Sequence, residues 1–388
     1  MFNNIVPNEV YRNVNLRPCK CLPISLSRFP PVIWVRIALT LVVLASVTFA
    51  AHAQSDAAQG RLITSLAVAI NPATQKVYAV DEGAGTVVVT DETSSSTRSV
   101  KVGTAPIALA INRTTNRVYV LNTESGTISV IDGSSDEVVA TVKGEATPYV
   151  LAVDETSNKI YVTYTYSNVV TVIDGATDIT QSFKVGSADG IALDSSDHTM
   201  FLTTYEDPNI RIVDGTNGTV SKVSVGPHIW GLVFDASSHT LYLAHTGTAD
   251  IVALNEKTHD VYSIPVGEIP CAVAINPSTH TLYAVNYGSE TVSVIDTGKR
   301  KVIATLHVGK HPQAVAVDVA RNRIYIANVH GNSVTVIDGA TNTVIGTHDA
   351  GRNPYALAVD ATTGYVYVAN YGEPSVTAVN GLHIATQK

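Results

Sequence analysis

Residues 313–354 read QAVAVDVARNRIYIANVHGNSVTVIDGATNTVIGTHDAGRNP, and this stretch decides the fold. Four short strand-like runs, 314–317, 323–327, 333–337 and 343–347, are separated by turn formers. These are Asp318 and Asn322, then Asn328 with Gly331, then the Asp338-Gly339 pair. The second run contains Ile324, Tyr325, Ile326 and Ala327 with no polar residue among them. A strand apolar on both faces must be covered on both faces, as in a sheet held between other sheets. One such unit cannot cover itself, so it requires neighbours of its own kind.

The chain supplies them. The aromatic of the second run recurs at Tyr78, Tyr119, Tyr161, Phe201, Tyr242, Tyr283, Tyr325 and Tyr367, always 40 to 42 residues apart. Near-copies of four strands at that period predict an all-β β-propeller, in which small sheets pack face to face around a channel. Helical solenoids are excluded, because no repeat contains a long segment of helical periodicity. The count of units predicts eight blades. Seven is the alternative, and it would leave one unit outside the ring with both faces of a strand such as 366–369 exposed. At about 25 cal/mol per Å² that exposure costs several kcal/mol.

The strings VYVLN (118–122), LYAVNYG (282–288), IYIAN (324–328) and VYVANYG (366–372) make the resemblance specific, as do SVID (129–132, 293–296), TVID (171–174, 335–338) and the VG that closes most units. The chain from about Leu66 to its end resembles the YVTN family of β-propeller repeat proteins. That resemblance implies an exported bacterial or archaeal protein and is nearly silent about activity. Related propellers include lactonases and the propeller domains of some redox enzymes.

Ahead of the repeats, residues 1–36 are polar and lack strand alternation, and Arg36 then precedes an apolar run at 37–50. Ala51-His52-Ala53 fits a small-x-small cleavage site before Gln54, so residues 1–53 read as a secretory signal with an over-long leader. The run is short for a membrane span. Residues 35–53 suffice as a signal by themselves, which suggests a start at Val35. The expectation is a mature chain from Gln54, in the periplasm or at the cell surface. It has a short segment at 54–65, a single propeller domain at 66–388 and no membrane span.

Cleavage removes Cys19 and Cys21 and leaves Cys271 alone, which excludes an internal disulfide and reads as a small core residue. Cleavage also removes five of 25 Lys/Arg and one of 33 Asp/Glu, leaving 20 against 32, a net charge of −12. An acidic domain without a basic stripe is not expected to bind nucleic acid.

In a four-stranded antiparallel blade (strands a to d, a innermost) the d–a and b–c connections fall on one rim and the a–b and c–d turns on the other. The a–b rim carries Asn71, Asn112, Asp154, Asp194, Asp235, Asn276, Asp318 and Asp360, one per unit. This is either a cation-binding ring or an Asx turn repeated in every blade, and a position filled in every unit is usually structural. His198, His239 and His280 sit four residues later where Asn116, Asn158 and Asn322 sit in other units. They fit a metal set or a left-handed turn position that both residue types tolerate.

The opposite rim departs from the template, and its large side chains are the candidate ligand-binding set: His228, Trp230, His245, Tyr287, His311, His330, Arg352 and Tyr371, with Tyr164, Tyr205 and Glu206 nearby. His228, Trp230 and His245 are expected nearest the centre. Whether any of them holds a metal the sequence leaves open. Against this stands the bland reading of a variable, solvated loop surface. No HExxH, GxSxG, P-loop or CxxC motif occurs, no cofactor is evident, and a single Trp after cleavage argues against Trp-motif quinoprotein propellers. The expected function is a binding or interaction scaffold for a protein or small molecule. The alternative is a lactonase-like hydrolase or a metal-dependent redox enzyme.

Overall fold

The computed structural model describes residues 62–64, 67–371 and 376–380. Among them it contains strands and no helix, hence none long and apolar enough to cross a membrane. The strands form eight antiparallel blades, an all-β eight-bladed propeller. Blades one to eight span 68–101, 106–143, 148–184, 190–224, 229–265, 270–307, 312–349 and 354–380. Blade eight shows three strands, Pro354–Val359, Tyr365–Asn370 and Val376–Asn380. Residues 381–388 lie outside the described residues, as do the expected signal segment and the two early cysteines.

Blade seven shows how sequence becomes sheet. Its strands are Pro312–Asp318, Arg323–Asn328, Ser333–Asp338 and Thr343–Asp349. Burial falls outward from the axis. Strand a is buried throughout and strand b from its second residue on. Strand d of blade six, Lys301–His307, alternates exposed and partly buried residues, because only one of its faces has a neighbour.

The repeat aromatics are the largest side chains of the interior, with Tyr78, Tyr119, Tyr161, Phe201, Tyr242, Tyr283 and Tyr325 all fully buried. They lie between blades: Tyr325 packs with Ala314 and Ala316 of its own blade and with Leu357, Val366 and Val368 of the next. Burying each such ring contributes roughly 1.5–3 kcal/mol, so blade-to-blade packing carries the stability. Cys271 is buried among these contacts, and burial pushes its thiol up to about 12.

A bulge recurs near the start of strand a in six blades. In blade seven Pro312 faces Asn328 and Ala314 faces Ala327, leaving Gln313 as the extra residue; in blade five the extra residue is Trp230.

The ring closes by face packing. Ala67, Val68, Ile70, Val77 and Ala79 of blade one meet Ala356, Ala358, Tyr367 and Ala369 of blade eight. A short strand, Leu62–Thr64, lies within the segment ahead of blade one, but it does not serve this closure. It pairs antiparallel with strand a of blade three, Leu62 opposite Asp154 and Thr64 opposite Ala152. Strand a is the inner edge of a blade, and the only unpaired backbone it offers faces the channel.

Candidate functional site

The a–b rim resolves into a set of latches. Each ring Asx caps its own turn, as when Asn71 Oδ1 accepts from Ala73 N at 3.1 Å and Asp154 Oδ1 from Thr156 N at 2.9 Å. Where the residue is Asn71, Asn112 or Asn276, its amide nitrogen then reaches the following blade. Asn71 Nδ2 donates to Asn116 Oδ1 at 2.5 Å, Asn112 to Asn158 at 2.8 Å and Asn276 to Asn322 at 2.8 Å. At Asp154 the partner is a His, with His198 Nδ1 3.2 Å from Asp154 Oδ2. His239 Nδ1 lies 3.5 Å from Asp194 Oδ2 but makes its hydrogen bond with Glu256 Oε2 at 3.2 Å. Asp235, Asp318 and Asp360 turn their second oxygen onto Ser238, Arg321 and Thr363 of their own turns. An amide pairs with an amide, and a carboxylate, which only accepts, pairs with an imidazole that can donate. The partner positions are left-handed, φ 54° at Asn116, 63° at His198, 49° at His239 and 50° at His280. Both structural readings of these positions therefore hold.

On the loop rim, His245 proves to be an interior residue. The same position holds Asn122, Asn286, Asn328 and Asn370 in other blades, and there the amide donates to hydroxyls of strand c, as Asn286 does to Thr291 and Ser293, both at 3.0 Å. His245 is 6% exposed. Its Nδ1 lies 2.6 Å from Thr248 Oγ1 and 3.2 Å from Asp250 Oδ1. The Thr248 and Ser263 hydroxyls donate to the two oxygens of Asp250, so His245 donates its Nδ1 proton. The glycine of the VG motif stacks on this position: a Cβ on Gly226 would fall 2.7 Å from His245 Cε1. Tyr164, expected on the rim, fills the same interior position in blade three and donates to Thr171 Oγ1 at 2.9 Å. In blade four Arg211 takes over, donating to Val185 O, Ser187 O and Thr204 Oγ1.

The other expected residues do reach the rim, in separate groups. His228 rests on Tyr205 with centroids 5.0 Å apart, and Tyr205 meets Trp230 edge-on at 6.1 Å. His228 Nε2 lies 3.9 Å from Glu206 Oε2. Two connections further round, Tyr287 lies 4.7 Å from His311, which meets His330 edge-on at 4.5 Å. The two Nδ1 atoms of this histidine pair are 2.6 Å apart, so one donates and the other accepts. Burial, then the His311 charge, lowers His330. Arg352 is exposed on the connection into blade eight. Tyr371, 56% exposed, meets Tyr355 edge-on at 6.3 Å.

That tyrosine pair borders a cavity of about 750 Å³ between blades eight, one and two, which the sequence did not reveal. Its walls include Asp81, Glu82, Glu124, Tyr355, Asn370 and Tyr371. Loss of surrounding water, then the charge of Glu124, raises Glu82. Burial raises the Tyr355 hydroxyl well above its ordinary range. Glu82 and Glu124 are ordinary loop carboxylates in the sequence; only the closure of blade eight onto blade one sets them before two tyrosines.

No family model matches the chain, and no curated protein sequence does. Solved structures share its fold. "Dihydro-heme d1 dehydrogenase NirN in complex with DHE" superposes with a TM-score of 0.69 at 12% identity, over 81% of this chain and 72% of that one. Kuenenia stuttgartiensis hydrazine synthase gives 0.57 at 17% identity over 81% and 94%. A functionally unknown protein from Desulfotomaculum acetoxidans DSM 771 gives 0.58 at 12% identity over 76% and 99%. At these identities the likeness is one of fold alone, and sites must be argued from residues.

Proposed function

We propose that this protein is an exported propeller of the YVTN type that serves as a binding scaffold, with its ligand held on the loop rim in the cavity beside Tyr355 and Tyr371. The observation that carries the reading is the pairing of two aromatic rings with the carboxylates of Asp81, Glu82 and Glu124 around one concave space. Aromatic faces and carboxylates attract the same partner, an organic cation, and a cavity of this size suits a small molecule. The centre of binding thus moves from blade five, where His245 is interior, to the junction of blades eight, one and two. The acidic balance of the chain beyond residue 53 supports a cationic ligand over nucleic acid.

The test is calorimetric titration with a panel of organic cations (choline, polyamines, arginine and lysine). At least one should bind, and Glu82→Gln with Glu124→Gln should weaken it about tenfold or more without changing the melting temperature. Tyr371→Ala, at an exposed ring, should weaken it as well. A panel that leaves the protein silent, or binding indifferent to all three changes, removes this reading. The exported form is checked by mass spectrometry of the secreted protein, expected to begin near Gln54. The hydrolase and redox alternatives predict lactone turnover or a tightly held redox metal in the purified protein.

A further inference from the structure

We propose that Asp194, His239 and Glu256, on the turn rim where blade four meets blade five, form a binding site for a divalent transition-metal ion of the zinc class. The donor atoms of the three residues all lie within 4.8 Å of one another. His239 Nδ1 is 3.5 Å from Asp194 Oδ2 and 3.2 Å from Glu256 Oε2. Ligands about 2.1 Å from a tetrahedral ion stand about 3.4 Å apart, so these two separations already match.

The site is a departure from a structural template, which is why it stands out. The latch of blades three and four has Asp154 and His198 alone. The residue after the last position of strand c, where Glu256 stands, is glycine in blades two, three, four and seven: Gly133, Gly175, Gly215 and Gly339. There is no room there for a side chain, since a Cβ on Gly133 would fall 2.2 Å from Asn116 Oδ1 and one on Gly339 2.3 Å from Asn322 Oδ1. Blade five instead admits a glutamate and directs it into the latch.

A second observation points to a cation. Asp194 and Glu256 are 2% and 6% exposed, and each keeps one buried carboxylate oxygen that accepts no hydrogen bond: Glu256 Oε1, and Asp194 Oδ2, whose nearest donor is the His239 imidazole at 3.5 Å. Asp194 Oδ1 is already used by Ser196 and Glu256 Oε2 by Lys257 at 2.9 Å. Two buried carboxylates beside one imidazole cost free energy that a divalent ion offsets, taking the place of the imidazole proton. Nitrogen with two oxygens suits zinc-class ions better than calcium, which takes only oxygen. Three protein ligands leave one position for water, on the side where His239 is open to solvent.

The experiment uses the protein after chelator dialysis. Cobalt(II) is titrated in with visible absorption and calorimetry as readouts, and zinc is then added in competition. One equivalent of cobalt should bind with the absorption of a low-coordinate ion, zinc should displace it, and the melting temperature should rise. Glu256→Gly, which restores the template, and Glu256→Gln should each weaken binding about tenfold or more. Asp194→Asn with His239→Asn, which copies the Asn71–Asn116 latch, should abolish it while the circular dichroism spectrum is unchanged. Wild-type protein that takes up no cobalt or zinc overturns the proposal whatever the variants do, and so does binding that all three variants retain.

Discussion

Tyr283 and Phe201 occupy the same buried position in two blades and differ by one hydroxyl. The Tyr283 hydroxyl is buried and lacks a hydrogen-bond partner, and burial pushes it up to about 12. The Tyr78 hydroxyl, by contrast, donates to Asp136 Oδ1 of the next blade at 3.0 Å. An unpaired buried polar group costs free energy, whereas a bond to a charged acceptor contributes. Tyr283→Phe should therefore be neutral or stabilising, and Tyr78→Phe should cost about 1–2 kcal/mol, measured by urea denaturation. Equal losses at both sites would show the hydroxyls to be equivalent. The recurrence of the ring was plain in the sequence; the fate of each hydroxyl depends on the turn of the neighbouring blade and was not. His245 shows the same limit. It reads as a departure from Asn on a variable rim, but Asp250 departs with it, and the two compensate each other inside the blade. His245→Ala should cost about 2–3 kcal/mol by leaving Asp250 short of a donor. Restoring the template with His245→Asn and Asp250→Thr should keep stability within about 1 kcal/mol of wild type.

At the level of strands and turns, four junctions are tied by a matched pair across blades, and matching is what the sequence hides. The ring Asx and the left-handed residue four positions on are each visible within a unit. Their partnership crosses units, Asp154 with His198 and Asn112 with Asn158, so it becomes legible only once the blades are placed in a ring. Asn tolerates the left-handed backbone and can donate to Asp154, so His198→Asn should be nearly neutral. His198→Ala loses both the donor and the tolerance of positive φ and should cost about 2 kcal/mol. A double-mutant cycle with Asp154→Asn measures the coupling directly, and additivity would show that the latch transmits nothing between blades. Arg211 is a different solution for the same element. Burial lowers its pKa, and it still holds two carbonyls of the preceding connection. Arg211→Met should cost about 2–4 kcal/mol, chiefly by leaving those carbonyls unpaired in the interior.

For the whole ring the decisive place is the seam between blades eight and one. Eight near-identical units made the blade count readable. What the sequence did not convey is that the seam differs from the other junctions. Blade one has Gln75 where blades two to seven have Asn or His, and Glu92 where most have the turn glycine. Glu92 Oε1 is buried without a partner, and the carboxyl sits beside Tyr367 and Asp360 of blade eight. Burial is the main cause that raises Glu92. A carboxyl raised in the folded state holds its proton more tightly there than in the unfolded chain. Its effect on stability is therefore most favourable when protonated and worsens as pH rises from the ordinary glutamate value through the raised one. The expected result is that closure of the seam, followed by hydrogen exchange in Pro354–Val359 and by urea denaturation, weakens across that window. Glu92→Gln, which cannot ionise, should be more stable than wild type above the window, and the difference should shrink below it. If the two proteins differ by the same amount on both sides of the window, Glu92 acts through packing and its charge plays no part in holding the ring shut.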